Sequence, residues 1–261
     1  METRERIIVA LDVDTVDKAL GLVKQLHPHV GCFKVGLELL TSEGAPTVVR
    51  AIREAGGKVF FDGKFKDIPN TVAGASRAVT KLGVEMFNVH CFGGSAMMKA
   101  ARQAAEETAK TQGRPCPTIL GVTLLTSLDY KDLVELGIYE ELNIADPQEL
   151  AEVKRQRIER LVAYYLAWLA QESGLDGVIA SPQEIQVTRK YCQPEFLVVT
   201  PGVRPFWAAI GDQKRVMTPG EAIKAGANYL VIGRPITQPP SEIGGSVEAA
   251  KLIAKEIEAA L

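Results

Sequence analysis

Short apolar runs, each followed by a longer amphipathic stretch, recur from one end of this chain to the other. The runs fall at residues 7–11, 32–36, 58–61, 86–89, 118–122, 177–180, 196–200 and 229–232. Runs of this length without polar alternation mark strands buried on both faces, the pattern of a parallel sheet covered by helices. The stretches between them, among them 15–27, 45–55, 71–82, 95–110, 182–191 and 247–260, carry helical spacing. Eight strand–helix rounds in 261 residues predict an α/β fold, a (β/α)8 barrel spanning residues 1–261 as one domain. A doubly wound open sheet is the competing architecture.

The longest helix is expected after the fifth run. Asp146 suits the cap, Pro147 the first helical position, and Glu149 a capping box. Val153, Ile158, Leu161, Tyr165 and Trp168 recur at helical spacing and are expected to face the barrel wall, with Gly174 ending the helix. Residues 128–145, the least regular stretch, read as an insertion after the fifth strand.

Composition removes several classes of function. Lys plus Arg is 30 and Asp plus Glu 32, a net charge of -2, so neither nucleic acid nor an anionic membrane is expected as the main partner. No apolar run approaches the ~20 residues of a membrane span, and residues 1–6 are charged, unlike a signal peptide. Cys32, Cys91, Cys116 and Cys192 form no CxxC pair, and only three histidines are present. A zinc site or disulfide framework is not expected, and a reducing cytoplasm is the simplest location.

The chemistry collects at the C-terminal ends of the expected strands, the end of a barrel where active sites are built. Asp12 ends the first, Lys34 lies in the second, and Asp62 and Lys64 end the third. Asp12 or Lys34 alone reads equally well as a solvated loop residue. Together, two acids and two bases at comparable depth imply one alternating network, because a buried charge requires a partner. Strand period two puts Asp62 and Lys64 on one face with Phe60 beneath, and Gly63 on the other face, where a helix can approach. Asp67 follows in the loop before Pro69. A lysine among carboxylates is held as ammonium, so Lys64 reads as a proton donor rather than a Schiff-base nucleophile. Lys66 has the opposite parity and is expected in solvent.

A second cluster follows the last two strands, the usual barrel phosphate site. Thr200-Pro201-Gly202-Val203-Arg204-Pro205 and Val231-Ile232-Gly233-Arg234-Pro235 each pair a glycine with an arginine. Glycine admits backbone N–H groups close to an anion, and arginine adds a bidentate donor. Gln213 lies in the loop between the two, where Phe206 and Trp207 serve either as a lid or as packing. His90, after the fourth strand, is expected to make a structural hydrogen bond rather than to react.

With these residues in view, the sequence resembles the orotidine 5′-phosphate decarboxylases of compact bacterial type. The likeness runs through Val9-Ala10-Leu11-Asp12, Phe33-Lys34-Val35-Gly36, Asp62-x-Lys64-x-x-Asp67-Ile-Pro-Asn-Thr71, Leu125-Thr126-Ser127, Gly211-Asp212-Gln213 and both glycine–arginine segments. It departs at Gly63, where the family more often has an aliphatic residue, and around 128–152, which is longer than in compact relatives.

The resemblance implies cofactor-free decarboxylation of orotidine 5′-monophosphate to uridine 5′-monophosphate and CO₂, in de novo pyrimidine biosynthesis. It implies that Asp12 and Lys34 contact the ribose, that Asp62 sits against the substrate carboxylate, and that Lys64 protonates C6. Asp67 and Thr71 would act across a homodimer interface. Thr126 or Ser127 would touch the pyrimidine. Pro201 would line the site, and Arg204, Gln213, Gly233 and Arg234 would hold the 5′-phosphate. The nearest alternative is a related magnesium-dependent keto-sugar-phosphate decarboxylase, but Lys34 stands where that family tends to place a glutamate metal ligand. A non-catalytic nucleotide-binding barrel would have no use for Asp62, Lys64 and Asp67 together.

Overall fold

The computed structural model describes residues 1–208 and 217–261. Eight parallel strands close into a barrel in sequence order: β1 (Ile7–Leu11), β2 (Cys32–Val35), β3 (Val59–Phe65), β4 (Met86–His90), β5 (Thr118–Val122), β6 (Gly177–Ile179), β7 (Leu197–Pro201) and β8 (Tyr229–Ile232). β8 closes on β1 in parallel through Ile7↔Leu230 and Val9↔Ile232. The open sheet is therefore excluded.

Two apolar layers follow from strand period two. Ile8, Ala10, Cys32, Phe60, Met86, Leu120, Val199 and Val231 fill the barrel. Their neighbours of opposite parity, such as Ile7, Val9, Phe33 and Phe87, pack outward against the helices. Both sets are buried, so the strands show no polar alternation. Two residues beyond Ala10, Cys32, Phe60 and Met86, the inward side reaches Asp12, Lys34, Asp62 and Asn88. The strands thus change from apolar to charged as they approach the C-terminal mouth.

Most helices match the expected ranges within two residues, including Val16–Leu26, Ala45–Glu54, Pro69–Lys81, Gly94–Thr111 and Ser246–Glu258. An unexpected helix, Leu37–Glu43, precedes Ala45–Glu54, and Gly44 at φ 79° turns the chain between them.

Three local expectations are corrected. β3 runs to Phe65 rather than stopping at residue 61, and its register on β4 shifts between Phe61 and Phe65. Gly63 is roofed by aromatic rings instead of a helix: a Cβ there would stand 2.7 Å from Phe61 and 3.0 Å from Phe65. Those rings fill the volume an aliphatic side chain would take. The long helix is Pro147–Glu159, a π-helical Arg160–Ala167 and Trp168–Glu172. Five-residue hydrogen bonds widen the π turns and rotate the faces beyond them. Val162, Ala163, Leu166, Ala167 and Ala170 therefore meet the barrel, whereas Tyr165 and Trp168 stay half exposed. Asp146 does cap this helix, accepting from the backbone N–H of Gln148 and Glu149, but no capping box closes through Glu149.

The insertion after β5 contains the helix Tyr130–Glu135. Tyr130 stacks on Tyr139 at 5.5 Å. Arg157 donates to the Tyr130 hydroxyl, and the Tyr139 hydroxyl donates to the Arg157 carbonyl, both at 2.9 Å. Among the described residues no helix is long and apolar enough to cross a membrane, and the four cysteines are free.

Candidate active site

An alternating line of charge crosses the barrel mouth. Lys34 Nζ donates to Asp12 Oδ1 at 3.1 Å and lies 3.3 Å from Asp62 Oδ2. Lys64 Nζ donates to Asp62 Oδ1 at 2.7 Å. Exposure grades outward from the centre: the Asp62 side chain is 8% exposed, Lys34 14%, Lys64 33% and Asp12 65%. The strand ends of β1, β2 and β3 hold this order, because adjacent inward positions of neighbouring strands lie side by side.

Electrostatics keeps the centre of the line ionised. Burial pushes the Asp62 carboxyl up, but Lys34 and Lys64, with hydrogen bonds from Lys64 and Asn88, bring it below the usual carboxylate range. Burial works against the Lys34 ammonium too, and Asp62 and Asp12 outweigh it, so its pKa is raised. Gly36 leaves the line accessible: a Cβ there would stand 3.2 Å from Lys34 Nζ.

Above this line opens a cavity of about 210 Å³. Lys34, Asp62 and Lys64 form its charged wall, and Phe60, Val122, Leu124, Ile179 and Val231 its apolar floor. Thr126, Ser181 and Pro201 complete the rim. Such a site accepts a flat apolar face and sets charge against one edge of it.

The second cluster borders the Asp12 end. A Cβ on Gly233 would be 3.7 Å from Asp12 Oδ2, so the backbone of the β8 loop passes close to the charged line. Arg204 is buried, and its guanidinium donates to the Val203 carbonyl at 3.1 Å. Burial and the neighbouring charge of Arg234 lower its pKa. Each guanidinium offers a bidentate donor to an anion. Phe206 is 88% exposed, while Trp207 packs on the core.

Other expected residues lie apart from the cavity within this chain. Asp67 is exposed, and its carboxylate accepts the backbone N–H of Ile68 at 2.6 Å. Thr71, on the helix Pro69–Lys81, is exposed as well, and Ser127 is exposed off the cavity wall. Gln213, with Gly211 and Asp212, lies outside the described residues. Lys66 is exposed, with its ammonium 5.9 Å from the Phe92 ring centre. Burial, then the charges of Lys66 and Lys64, push the His90 imidazole down, and its Nδ1 accepts the Phe92 N–H at 3.4 Å.

Asn88 was not singled out from the sequence. It is fully buried, donates through Nδ2 to Asp62 Oδ1 at 2.7 Å, and accepts the Lys64 backbone N–H at 2.7 Å. Its signal was a polar side chain at an inward position of a strand otherwise apolar on that face up to His90.

Fold and site together define a (β/α)8 barrel with a buried Asp–Lys array at its C-terminal mouth. The family model for the orotidine 5′-phosphate decarboxylase / HUMPS family matches residues 5–249. Orotidine 5′-phosphate decarboxylase of Moorella thermoacetica is 51% identical over 259 residues, 99% of this chain and 94% of the relative. That of Syntrophomonas wolfei is 46% identical, covering 99% of this chain and all of the relative. Among solved structures, orotidine 5′-phosphate decarboxylase from Lactobacillus acidophilus superposes with a TM-score of 0.75 at 33% identity, over 96% of this chain and 98% of the other. The chain belongs to the orotidine 5′-phosphate decarboxylase / HUMPS family.

Proposed function

We propose that this chain decarboxylates orotidine 5′-monophosphate to uridine 5′-monophosphate and CO₂, without a metal or organic cofactor. The observation that carries this is the Asp12–Lys34–Asp62–Lys64 line under an apolar cavity, with Gly233 of the β8 loop close to Asp12. The pyrimidine would lie on the apolar floor against Thr126 and Pro201. Asp12 and Lys34 would meet the ribose hydroxyls. Arg204, Arg234, Gly233 and Gln213 would hold the phosphate.

The chemistry follows from the charges. Breaking the bond from C6 to the carboxylate leaves the electron pair on C6 and releases CO₂. The Lys64 ammonium stabilises that pair electrostatically and then gives it a proton. Asp62, ionised against the substrate carboxylate, loses a like-charge neighbour as CO₂ departs. The phosphate grip is remote from the broken bond, so its binding energy can serve closure and orientation of the reacting end.

Asp67 and Thr71 complete the site of a second copy, making the active form a homodimer. Two features support this. Among the described residues no ion pair joins Asp67 to Lys64 within one chain, and Ile68, which follows Asp67, exposes 66% of its surface, as an interface residue would before assembly. A magnesium-dependent keto-sugar-phosphate decarboxylase is disfavoured, because the Lys34 ammonium, paired with Asp12 and Asp62, stands where that chemistry would need a metal ligand and would repel the ion. The cytoplasm is the proposed location.

The test is to add EDTA-treated protein to orotidine 5′-monophosphate and follow ultraviolet absorbance and CO₂ release. Rapid metal-independent conversion is expected. A folded protein that binds uridine 5′-monophosphate and converts nothing would refute the proposal.

A further inference from the structure

Opposite Asn88, β3 carries an excess of chain. Phe61 pairs with Phe87 and Phe65 with Val89, so Asp62, Gly63 and Lys64 face the single residue Asn88. Such a bulge takes backbone groups out of the ladder and redirects side chains. Lys64 sits at φ 47°, the one non-glycine residue with positive φ among those described. A residue with a Cβ takes that conformation only when its surroundings enforce it.

Asn88 supplies the enforcement. Its Oδ1 replaces the missing ladder acceptor for the Lys64 N–H. Its Nδ2 reaches Asp62 Oδ1, the same oxygen that receives Lys64 Nζ. One buried amide therefore clamps the Lys64 backbone and the carboxylate that orients the Lys64 ammonium. The two bonds need an acceptor and a donor on a short rigid plane, which an amide offers and an ionised carboxylate does not. Asn88 itself is not on the cavity wall.

We infer that Asn88 is a positioning residue for Lys64: it holds the bulge and the Asp62 carboxylate so that the ammonium is presented at one place in the cavity. This rests on the decarboxylase function proposed above. It differs from a simple buried polar pair because one bond holds the backbone of the proton donor and the other the carboxylate that orients its ammonium.

The experiment compares wild type, Asn88→Ala and Asn88→Asp. Hydrogen bonds to charged groups correspond to about 10- to 100-fold in rate, so Asn88→Ala should lose about that much kcat while binding uridine 5′-monophosphate as tightly as wild type. Asn88→Asp keeps the acceptor for Lys64 but sets a second carboxylate against Asp62. Asp62 and Lys64 on β3 contact it, Lys34 on β2 pairs with the other oxygen of Asp62, His90 lies two residues on along its own strand, and Leu120 pairs with it from β5. Two carboxylates at that distance share a proton, and the protonated form restores the donor. The kcat deficit of Asn88→Asp relative to wild type should therefore shrink as pH falls, whereas that of Asn88→Ala should not.

Undiminished kcat in folded Asn88→Ala, or a loss of nucleotide affinity as large as the loss of kcat, would overturn the inference. Amide hydrogen exchange of Lys64, read by NMR, separates this from failure of the functional proposal because it needs no turnover. Protection lost by at least about 10-fold in Asn88→Ala supports the clamp even if wild type converts no orotidine 5′-monophosphate. Unchanged protection refutes it even if wild type is fully active.

Discussion

Replacing Asp62 by Asn tests whether the charged line holds the mouth together as well as serving chemistry. The carboxylate is almost wholly buried and receives Lys64 and Asn88 at 2.7 Å, with Lys34 at 3.3 Å. An isosteric amide offers one oxygen to these three donors. Removing one partner of a fully buried pair costs about 3–5 kcal/mol. Here the loss is smaller, because Lys64 is one-third exposed and Lys34 keeps Asp12. Solvent screening reduces the expectation to about 1–3 kcal/mol. At roughly 2.1 cal/mol/K per residue, a chain of this size has an unfolding entropy near 0.55 kcal/mol/K, so Tm should fall by about 2–6 °C at pH 7.

The pH dependence supplies an independent check. The folded Asp62 carboxyl is held below its ordinary value, since Lys34, Lys64 and the two hydrogen bonds outweigh burial. A group depressed in this way contributes stability above its unfolded pKa, about 3.9, and loses it as pH falls through the folded value. The Tm gap between wild type and Asp62→Asn, measured by circular dichroism without ligand, should thus be full at pH 7 and begin to close as pH falls below about 4. Equal stability at neutral pH, or a gap that acid does not narrow, would refute this account of the network.

Two further outcomes are expected. Lys64→Ala and Asp67→Ala should each be inactive, and mixing them under subunit exchange should restore activity through one intact site per heterodimer; exchange without recovery would place Asp67 in cis. Arg234→Ala should weaken uridine 5′-monophosphate by about 10- to 100-fold and leave uridine unchanged in equilibrium binding, because only the nucleotide carries the anion; equal losses for both would move the phosphate site elsewhere.

The barrel was legible because every strand is buried on both faces, so apolar runs stand out against amphipathic helices in one dimension. The same parity rule brought Asp12, Lys34 and Asp62 to one mouth. It failed where hydrogen bonding departs from a regular period. The π turns at Arg160–Ala167 rotate the buried face away from Tyr165 and Trp168, and nothing in residue spacing announces a five-residue bond. The role of Asn88 is not legible in the sequence because it exists only against the bulge of a neighbouring strand.

By itself, then, the sequence determined where the strands and most helices lie, the two-sided apolar character of the strands and the residue types at their C-terminal ends, since these follow from local periodicity and solvent avoidance. Tertiary structure alone decided that the sheet closes through β8 on β1, that Lys64 turns left-handed, and that Asp62 gathers three donors. Those facts depend on register between strands and on loops brought together from distant parts of the chain, and interactions of that range leave no period in the sequence to read.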